Sequence, residues 1–296
     1  MDLVIRVPRI PKVGETIIGR DSHMIFGGKG ANQAIAAKRA GGDVLFLAKV
    51  GKDAYGTGMI AHFSKEGLPV HAIMQTSAQP TGVAQIWVSD KGENSIVVAP
   101  GANGDLLSED IDLHEDSLLS AAVVLLQLET PLSTVAHIVK RCKSANIKTI
   151  LNPAPAAVLG EDLLDGLYLI TPNETEAFLL TGIKVTDHNS ALMAAKELLG
   201  KGVQNVIITM GSEGCLLLNA EGHKQYSAIQ AEVKDTTAAG DVFNGVLAAF
   251  LTLGKTLDES IKGATAAASI SVTRLGAQPS APYADEIIMM LSTLDK

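Results

Sequence analysis

Aromatic and charged residues are scarce in this chain of 296 residues. Phe, Tyr and Trp together make up 4% of the sequence, and charged residues 19%, against ~25% in an average soluble protein. Hydrophobic residues nevertheless account for 47%. The apolar mass is therefore Ala, Val, Ile and Leu, as in a buried parallel sheet covered by helices. This composition argues against intrinsic disorder and against collagen-like repeats.

Cysteine is almost absent, since the sequence has only Cys142 and Cys215 and neither belongs to a CxxC or Cys/His pattern. This argues against a disulfide scaffold and structural zinc, and it predicts a reducing, cytoplasmic environment. The longest apolar stretch, residues 121–126, is far shorter than the ~18 residues of a membrane span, and the start of the chain has no signal-peptide pattern. The net charge of −8 comes without a basic cluster, so we expect neither nucleic acid nor a membrane as a partner.

Short β-branched runs alternate with Ala- and Leu-rich stretches from residue 40 onward. The runs predict buried strands at Val44–Val50, Val123–Leu128, Lys148–Leu151, Tyr168–Ile170 and Asn205–Thr209. The stretches predict helices at 57–66, 132–145, 174–181, 189–200, 240–253, 257–274 and 284–294. Such alternation implies a parallel sheet with right-handed crossovers. We therefore predict a single α/β domain over residues 1–296.

Two segments, at about 2–26 and 80–99, instead have apolar residues at every second position, with Pro and Gly between them. Ser89-Asp90-Lys91-Gly92 lies between two such runs and predicts a hairpin turn. A small antiparallel sheet inserted into an α/β domain is most economically a lid over a cleft, and we predict that these segments form one.

The first glycine-rich segment, Gly27 to Ala34 (GGKGANQA), leads into a predicted helix at 34–40. Consecutive glycines let a ligand approach the backbone, while Lys29 and Asn32 supply polar groups for hydroxyls; a plain glycine-rich helix entry is the alternative interpretation. The chain contains no GxxxxGK[ST] sequence, which excludes a P-loop. A formal GxGxxA match at 56–61 lies several residues beyond its strand and indicates a tight turn rather than dinucleotide binding.

The segment Asp235 to Asp241 (DTTAAGD) places small residues directly before a long predicted helix. Free backbone N–H groups and the positive helix end suit a transferring phosphoryl group there. Asp241 is either the N-cap of this helix or a base that takes a proton from an attacking hydroxyl.

Two further segments follow predicted strands. In TPNETE (171–176), Asn173 and Glu176 project from one helix face, either as an outer shell for Mg²⁺ or as a capping pair. TMGSEG (209–214) either binds a nucleotide through its backbone or is an ordinary turn.

Glu129 lies after the strand at 123–128, at the sheet edge where ligands bind in open parallel sheets. No His pattern supports a hydrolase or a metalloprotease.

Seven segments, in this order, resemble the ribokinase-like family of carbohydrate kinases. They are GGKGANQA (27–34), QLE (127–129), NPAPA (152–156), TPNETE (171–176), TMGSEG (209–214), DTTAAGD (235–241) and TRLGAQPS (273–280). The resemblance covers nearly the whole chain. It implies a three-layer α/β/α sandwich with a mostly parallel central sheet and a β-sheet lid.

The resemblance also implies roles for individual residues. Asp241 would be the catalytic base, with the backbone of Ala238, Ala239 and Gly240 as the anion hole. The sugar would contact Asp2, Gly28, Lys29, Gly30, Ala31, Asn32, Glu129 and Asp241. The nucleotide would lie along Asn173, Thr209, Met210, Gly211, Ser212, Glu213, Gly214, Gly240 and Thr265. Glu176 would act on the magnesium side, through water. An activating potassium ion would bind at Asp235, Thr237, Ser271, Arg274, Gly276 and Ser280.

The implied reaction is the transfer of the ATP γ-phosphate to the primary (5-) hydroxyl of a pentose, with ribose first. Deoxyribose or another sugar or nucleoside is the alternative substrate. The family usually opens with a buried strand ending in a Gly-Ser/Asn-Asn-x-Asp stretch, of which only Met1-Asp2 is present here. We therefore expect one strand and one sugar contact fewer, and a nucleotide- or sugar-binding protein without turnover is the alternative of a different class. By family analogy, we expect a homodimer formed through the lid.

Overall fold

The structure is a computed structural model that describes residues 1–294, and its strands and helices follow the predicted alternation. The strands are β1 (Asp2–Val7), β2 (Ser22–Ile25), β3 (Ala48–Gly51), β4 (Ile73–Thr76), β5 (Val83–Ser89), β6 (Asn94–Ala99), β7 (Val123–Leu126), β8 (Lys148–Leu151), β9 (Leu169–Ile170), β10 (Asn205–Thr209), β11 (Cys215–Asn219) and β12 (Gly222–Tyr226). The helices are α1 (Lys29–Arg39), α2 (Ala54–Lys65), α3 (Ser108–Asp112), α4 (Glu115–Leu119), α5 (Leu132–Ser144), α6 (Glu161–Leu164), α7 (Glu174–Thr181), α8 (His188–Gly200), α9 (Ala239–Thr252), α10 (Leu257–Ser271) and α11 (Ala284–Leu294).

A six-stranded sheet in the order β12-β11-β10-β9-β8-β7 forms the middle layer. Strands β7 to β10 are parallel, and β11 and β12 join them as an antiparallel edge. One face of the sheet packs against α5 and α8 through a large apolar cluster, and the other packs against α9 and α10 through a second cluster. The predicted three-layer α/β/α fold with a mostly parallel central sheet is confirmed.

Two helix boundaries differ from the predictions. Helix α2 begins at Ala54, three residues before the predicted start, because the Asp53 carboxylate accepts a hydrogen bond from the backbone N–H of Gly56. Helix α10 ends at Ser271 rather than at Arg274, where the chain turns through Val272. No helix within residues 1–294 is long and apolar enough to cross a membrane.

The predicted strand at Val44–Val50 is wrong in its first half, because strand structure begins only at Ala48. Strand β3 pairs with β4 alone, in a separate two-stranded sheet. A cavity of about 850 Å³ lies between residues 44–48 and β7, and residues of both segments line it. Without a neighbouring strand on that side, residues 44–47 have no ladder to join, and β7 stays an edge strand.

The segments predicted as a lid form a four-stranded sheet of their own, in the order β2-β1-β5-β6. Strands β5 and β6 are an antiparallel hairpin closed by the Ser89 N–H donating to the Glu93 carbonyl, so the predicted turn is confirmed. Strand β1 pairs antiparallel with β2, with Asp2 opposite Ile25, and parallel with β5. Several apolar side chains of this sheet are exposed, among them Met24, Ile96, Val97 and Val98.

Candidate active site

The site is built where helices α1 and α9 cross. Asp241, in the first turn of α9, is buried with 6% of its surface exposed. Its Oδ2 accepts a hydrogen bond of 2.9 Å from Asn32 Nδ2, and its Oδ1 accepts one of 2.9 Å from Gln33 Nε2. The helices approach this closely because Gly245 faces α1, where a β-carbon would collide with the Gln33 carbonyl oxygen.

The Asp241 carboxylate is held in a state suited to proton transfer. Burial raises its pKa, while the Lys29 ammonium and the hydrogen bonds from Asn32 and Gln33 oppose that rise. A carboxylate with a raised pKa is a stronger base than one in water, and it remains ionised at neutral pH if a cation offsets its burial. The burial and the partners of Asp241 are therefore compatible with accepting a proton from a hydroxyl.

A second group of acidic side chains surrounds the glycine-rich entry to α1. Glu129, shortly after β7, accepts a 2.7 Å hydrogen bond at Oε2 from the backbone N–H of Lys29. Asp2 packs against Gly27 so closely that a β-carbon there would collide with the carboxylate. Burial raises the pKa of both carboxyl groups above its ordinary value, and the Lys29 ammonium partly opposes that rise. Gly28 has a φ of 98°, a conformation that L side chains rarely adopt.

Asn32 has an unused acceptor at this place. Its Nδ2 is committed to Asp241, yet its Oδ1 is buried and has no hydrogen-bond partner within residues 1–294. A buried amide oxygen without a donor is costly, and it favours a ligand that donates a hydroxyl proton to it. The predicted sugar contacts Asp2, Gly28, Lys29, Asn32 and Glu129 thus lie in one region.

Two of the predicted sugar contacts are less available than the others. Ala31 has 4% of its surface exposed and its side chain packs into an apolar cluster, so a ligand could reach only its backbone. Gly30 faces the Gln127 side chain, since a β-carbon at Gly30 would lie 2.9 Å from Gln127 Oε1.

A cavity of about 190 Å³ is bordered by Asp241. Its lining includes Lys29, Asn173, Glu176, Thr209 and the turn at 238–241. Ala238 precedes α9 with φ 61° and ψ 12°, the left-handed conformation, which is strained for alanine. The first-turn N–H groups of α9 follow this turn, and they have no acceptor within the helix itself.

The backbone N–H groups at the expected anion hole differ in their hydrogen-bond partners. The Ala239 N–H already donates to the Thr236 carbonyl at 3.2 Å, within the turn. The Gly240 and Asp241 N–H groups lie in the first helical turn, and the Gly240 carbonyl accepts a bond from Asn244 Nδ2 at 2.8 Å. Because the cavity is lined by a lysine and by helix-terminal N–H groups, it suits an anion such as a phosphoryl group.

Asn173 and Glu176 form the capping box that was one of the two interpretations. The Glu176 carboxylate accepts from the Asn173 N–H at its Oε2, and Asn173 Oδ1 accepts from the Glu176 N–H, each at 2.9 Å. Burial raises the pKa of Glu176. The box occupies only one carboxylate oxygen in its reciprocal bonds, and Glu176 also lines the small cavity. One carboxylate beside a cavity that suits an anion fits Mg²⁺, which takes few protein ligands and keeps several waters.

The predicted nucleotide contacts fall into two groups. Thr209, at the end of β10, forms a bridge with Asn173 and lines the small cavity beside it. The turn that follows, from Met210 to Gly214, is closed by the Met210 N–H donating to the Gly214 carbonyl. Gly211, Ser212 and Glu213 are exposed on that turn, outside the cavity. Thr265 is buried in α10 with its hydroxyl unpaired within residues 1–294, also away from the cavity.

The predicted potassium ligands lie on two segments that Asp235 joins. Its Oδ2 accepts from the Gly276 N–H at 2.8 Å, and its Oδ1 accepts from the N–H and hydroxyl of Thr237. The Ser271 and Ser280 hydroxyls donate to the carbonyls of Ala268 and Ala277 and keep lone pairs free. The Arg274 side chain pairs with Glu286 instead, so only its backbone could face a cation. An anionic, oxygen-rich pair of loops fits a monovalent cation.

Sequence reasoning missed four side chains of the site, namely Gln33, Gln127, Asn152 and Asn244. Gln33, Gln127 and Asn152 lie within quoted motifs, but only the bonds between these distant segments show their purpose. Asn244 lies one turn after Asp241 and binds both the Gly240 carbonyl and the Thr171 hydroxyl.

The fold and the site together define an α/β enzyme able to move a phosphoryl group onto a hydroxyl, and comparisons with known proteins identify the family. Residues 1–284 match the model of the pfkB family carbohydrate kinases. The chain therefore belongs to the pfkB family of carbohydrate kinases, as the sequence motifs predicted.

Three relatives show how close the similarity is. The chain is 42% identical to a ribokinase of Haemophilus influenzae over 290 residues, 98% of this chain and 95% of the relative. It is 36% identical to a deoxyribokinase of Salmonella typhi, over 99% of this chain and 96% of that protein. An Arabidopsis thaliana ribokinase structure, complexed with ribose and ATP, superposes with a TM-score of 0.92 at 32% identity, covering 98% and 95% of the two chains.

Proposed function

We propose that this enzyme transfers the γ-phosphoryl group of ATP to the 5-hydroxyl of D-ribose, giving ribose 5-phosphate and ADP. The observation that carries the proposal is the position of Asp241. Its carboxylate lies between the polar groups of the glycine-rich segment and a small cavity lined by Lys29 and the start of α9. The similarity to ribokinases over nearly the whole chain supports ribose as the sugar.

Asp241 acts as the general base in this mechanism. The sugar 5-hydroxyl donates a hydrogen bond to the carboxylate, on which the two amide partners leave lone pairs free. The hydroxyl oxygen attacks the γ-phosphorus as its proton moves to Asp241, the bond from that phosphorus to the β,γ-bridging oxygen breaks, and ADP leaves with the bond's electron pair. The remaining hydroxyls bind the carboxylates of Asp2 and Glu129, the Lys29 ammonium and the unpaired Oδ1 of Asn32. These groups fix the sugar so that only one hydroxyl faces the base.

The Lys29 ammonium and the N–H groups at the start of α9 stabilise the charge that develops on the transferring group. Glu176 would hold Mg²⁺ through water, with Asn173 and Thr209 beside the phosphates. When bound, Mg²⁺ neutralises phosphate charge. The nucleotide extends from there along Met210 to Gly214 and toward Thr265.

A potassium ion at Asp235, Thr237 and the 271–280 segment completes the proposal. It would not contact substrate. It would hold the two loops together and so fix the turn that carries Ala238 to Gly240.

The enzyme is expected in the cytoplasm as a homodimer formed through the lid. Both cysteines are free and buried, which suits a reducing compartment. The lid sheet ends in two edge strands, β2 and β6, and exposes Val97 and Val98, and such edges favour pairing with a second copy.

The decisive experiment measures ADP formation with ATP, Mg²⁺ and K⁺ on a panel of ribose, 2-deoxyribose, fructose and adenosine. The highest kcat/KM on ribose supports the proposal. A preference for 2-deoxyribose or adenosine would replace the substrate but keep the reaction. Sugar and nucleotide binding without turnover on every sugar would favour the binding-protein alternative.

A further inference from the structure

A buried polar network centres on Gln33, to which the sequence motifs assigned no role. Gln33 has 1% of its surface exposed. Its Nε2 donates to Asp241 Oδ1 at 2.9 Å and to Asn152 Oδ1 at 3.0 Å, and its Oε1 accepts from Gln127 Nε2 at 2.5 Å. Both amide hydrogens are therefore used, and the side chain cannot rotate without breaking its bonds to these three partners.

The direction of every bond in this network follows from one group that can only accept. Asn152 Nδ2 donates to the backbone carbonyl of Thr171 at 3.3 Å, which turns Asn152 Oδ1 toward Gln33. Gln33 must then present its NH₂ group to Asn152, and the same group meets the Asp241 carboxylate. A flipped Gln33 amide would set its oxygen against two acceptors. The backbone after β9 thus fixes the orientation of a donor aimed at Asp241.

The network also joins the base to the central sheet. Gln127 and Asn152 directly follow β7 and β8, whereas Gln33 and Asp241 belong to α1 and α9. A helix-borne carboxylate is in this way tied to the carboxyl edge of the sheet rather than to its own helix alone. Asn32, the other partner of Asp241, offers no such link, since its Oδ1 is unpaired within residues 1–294.

We propose that Gln33 is a positioning residue for phosphoryl transfer, holding the Asp241 carboxylate in the rotamer that receives the sugar proton. The inference rests on the proposed function, because it assigns Gln33 to the same reaction. Gln33 does not contact the reacting atoms and acts only through Asp241. Its loss should therefore lower kcat while leaving the KM for ATP close to wild type.

A pH profile separates positioning from simple core stability. The charged groups around Asp241 are Lys29, Asp2, Glu129 and Glu176, and none is altered in a Gln33 variant. Removing the amide donor takes away a bond that favours the ionised carboxylate, so the acid limb of the kcat profile should move to higher pH. A residue needed only for packing would change the melting temperature and leave that limb in place.

The experiment compares three variants with the wild type, using the sugar of the panel that gives the highest kcat/KM. Gln33→Met keeps the length of the side chain and removes both donors, and we expect kcat to fall by about 10- to 100-fold, the scale of a misplaced reacting group. Gln33→Glu keeps the shape but sets a carboxyl against Asp241, so one proton is shared between them and activity should recover in part at alkaline pH. Ile35→Val, buried in α1 among apolar residues, is the matched stability control and should keep the wild-type kcat and pH profile.

Each outcome has a defined meaning. Wild-type kcat and an unmoved acid limb in Gln33→Met would overturn the inference while the function stands. If that variant does not fold, Gln33→Glu decides, and an unchanged pH profile there would refute the positioning role. A similar loss of kcat in Ile35→Val would show that any disturbance of α1 is sufficient to lower kcat, and it would overturn the specific role of Gln33. Absence of turnover by the wild type on every sugar would overturn the proposed function and this inference together.

Discussion

The cavity beside β7 allows a quantitative prediction about stability. Met1 borders the cavity, and its ammonium group donates to the Gly82 carbonyl at 2.9 Å. Residues at both ends of the two bordering segments, among them Gly41, Ala121 and Glu129, also line the cavity. A strand added ahead of Met1 would therefore enter the gap between these two segments, and five residues at ~3.3 Å each would match the length of residues 44–48.

The expected gain follows from burial on both faces. Five apolar side chains contribute about 2 kcal/mol each, and about eight backbone hydrogen bonds to the two free edges contribute roughly 1 kcal/mol each. Ordering the strand costs about 2.5 kcal/mol per residue for backbone and side chain. The balance is a gain of roughly 5 kcal/mol in the free energy of unfolding, which corresponds to a rise of about 10 °C in the melting temperature at ~2 °C per kcal/mol.

The assay is a thermal melt of two extended proteins beside the original chain. One carries an apolar, β-branched extension of five residues before Met1, and the other carries Gly and Ser over the same length. The apolar extension should also lower the KM for ribose, because fixing Met1 fixes Asp2 next to it. Equal melting temperatures for the two extensions would refute the reasoning.

Three further predictions concern the reaction. Asp241→Asn should leave sugar and ATP binding nearly intact and lower kcat by at least ~10²-fold; near wild-type turnover would reduce Asp241 to a helix cap. In the wild type, activity should fall as the pH drops through the pKa of Asp241, which burial raises, so half-maximal activity should lie above the pH at which a free Asp titrates; a limb at that ordinary value would contradict the burial argument. Initial rates in potassium should exceed those in a bulky organic cation at matched ionic strength, and equal rates would eliminate the site at Asp235.

The sequence predicted the layers of this fold because strand and helix alternate with clear periodicity, but it could not predict pairing. Val44–Val50 has the composition of a buried strand, yet only its end forms one, since strand structure requires a neighbour. The early start of α2 has a local origin that could have been found, because Asp53 is a suitable cap three residues before Gly56.

The site was predictable where a residue acts alone and not where it acts through others. Lys29 could be identified as a site residue because it is a charged residue among glycines, and Asp241 because it is a charged residue at a helix start. Glu176 carried two interpretations, and the structure shows a capping box that still leaves the residue beside the small cavity. Gln33 and Asn152 gave no local sign, because their bonds join residues 119 positions apart.

The position of the lid strands next to the glycine-rich segment has a thermodynamic consequence. Strand β1 begins at Asp2, and β2 ends at Ile25, the residue paired with Asp2, just before the glycine-rich entry to α1. A sugar bound by Asp2 and Lys29 would therefore contact the chain both at the start of β1 and shortly after the end of β2. Thermodynamic linkage makes this coupling reciprocal. The factor by which bound sugar shifts the lid equilibrium toward ordered β1 and β2 equals the factor by which an ordered lid raises the affinity for the sugar. Slower amide hydrogen exchange across Leu3–Ile5 on adding sugar would measure that factor directly.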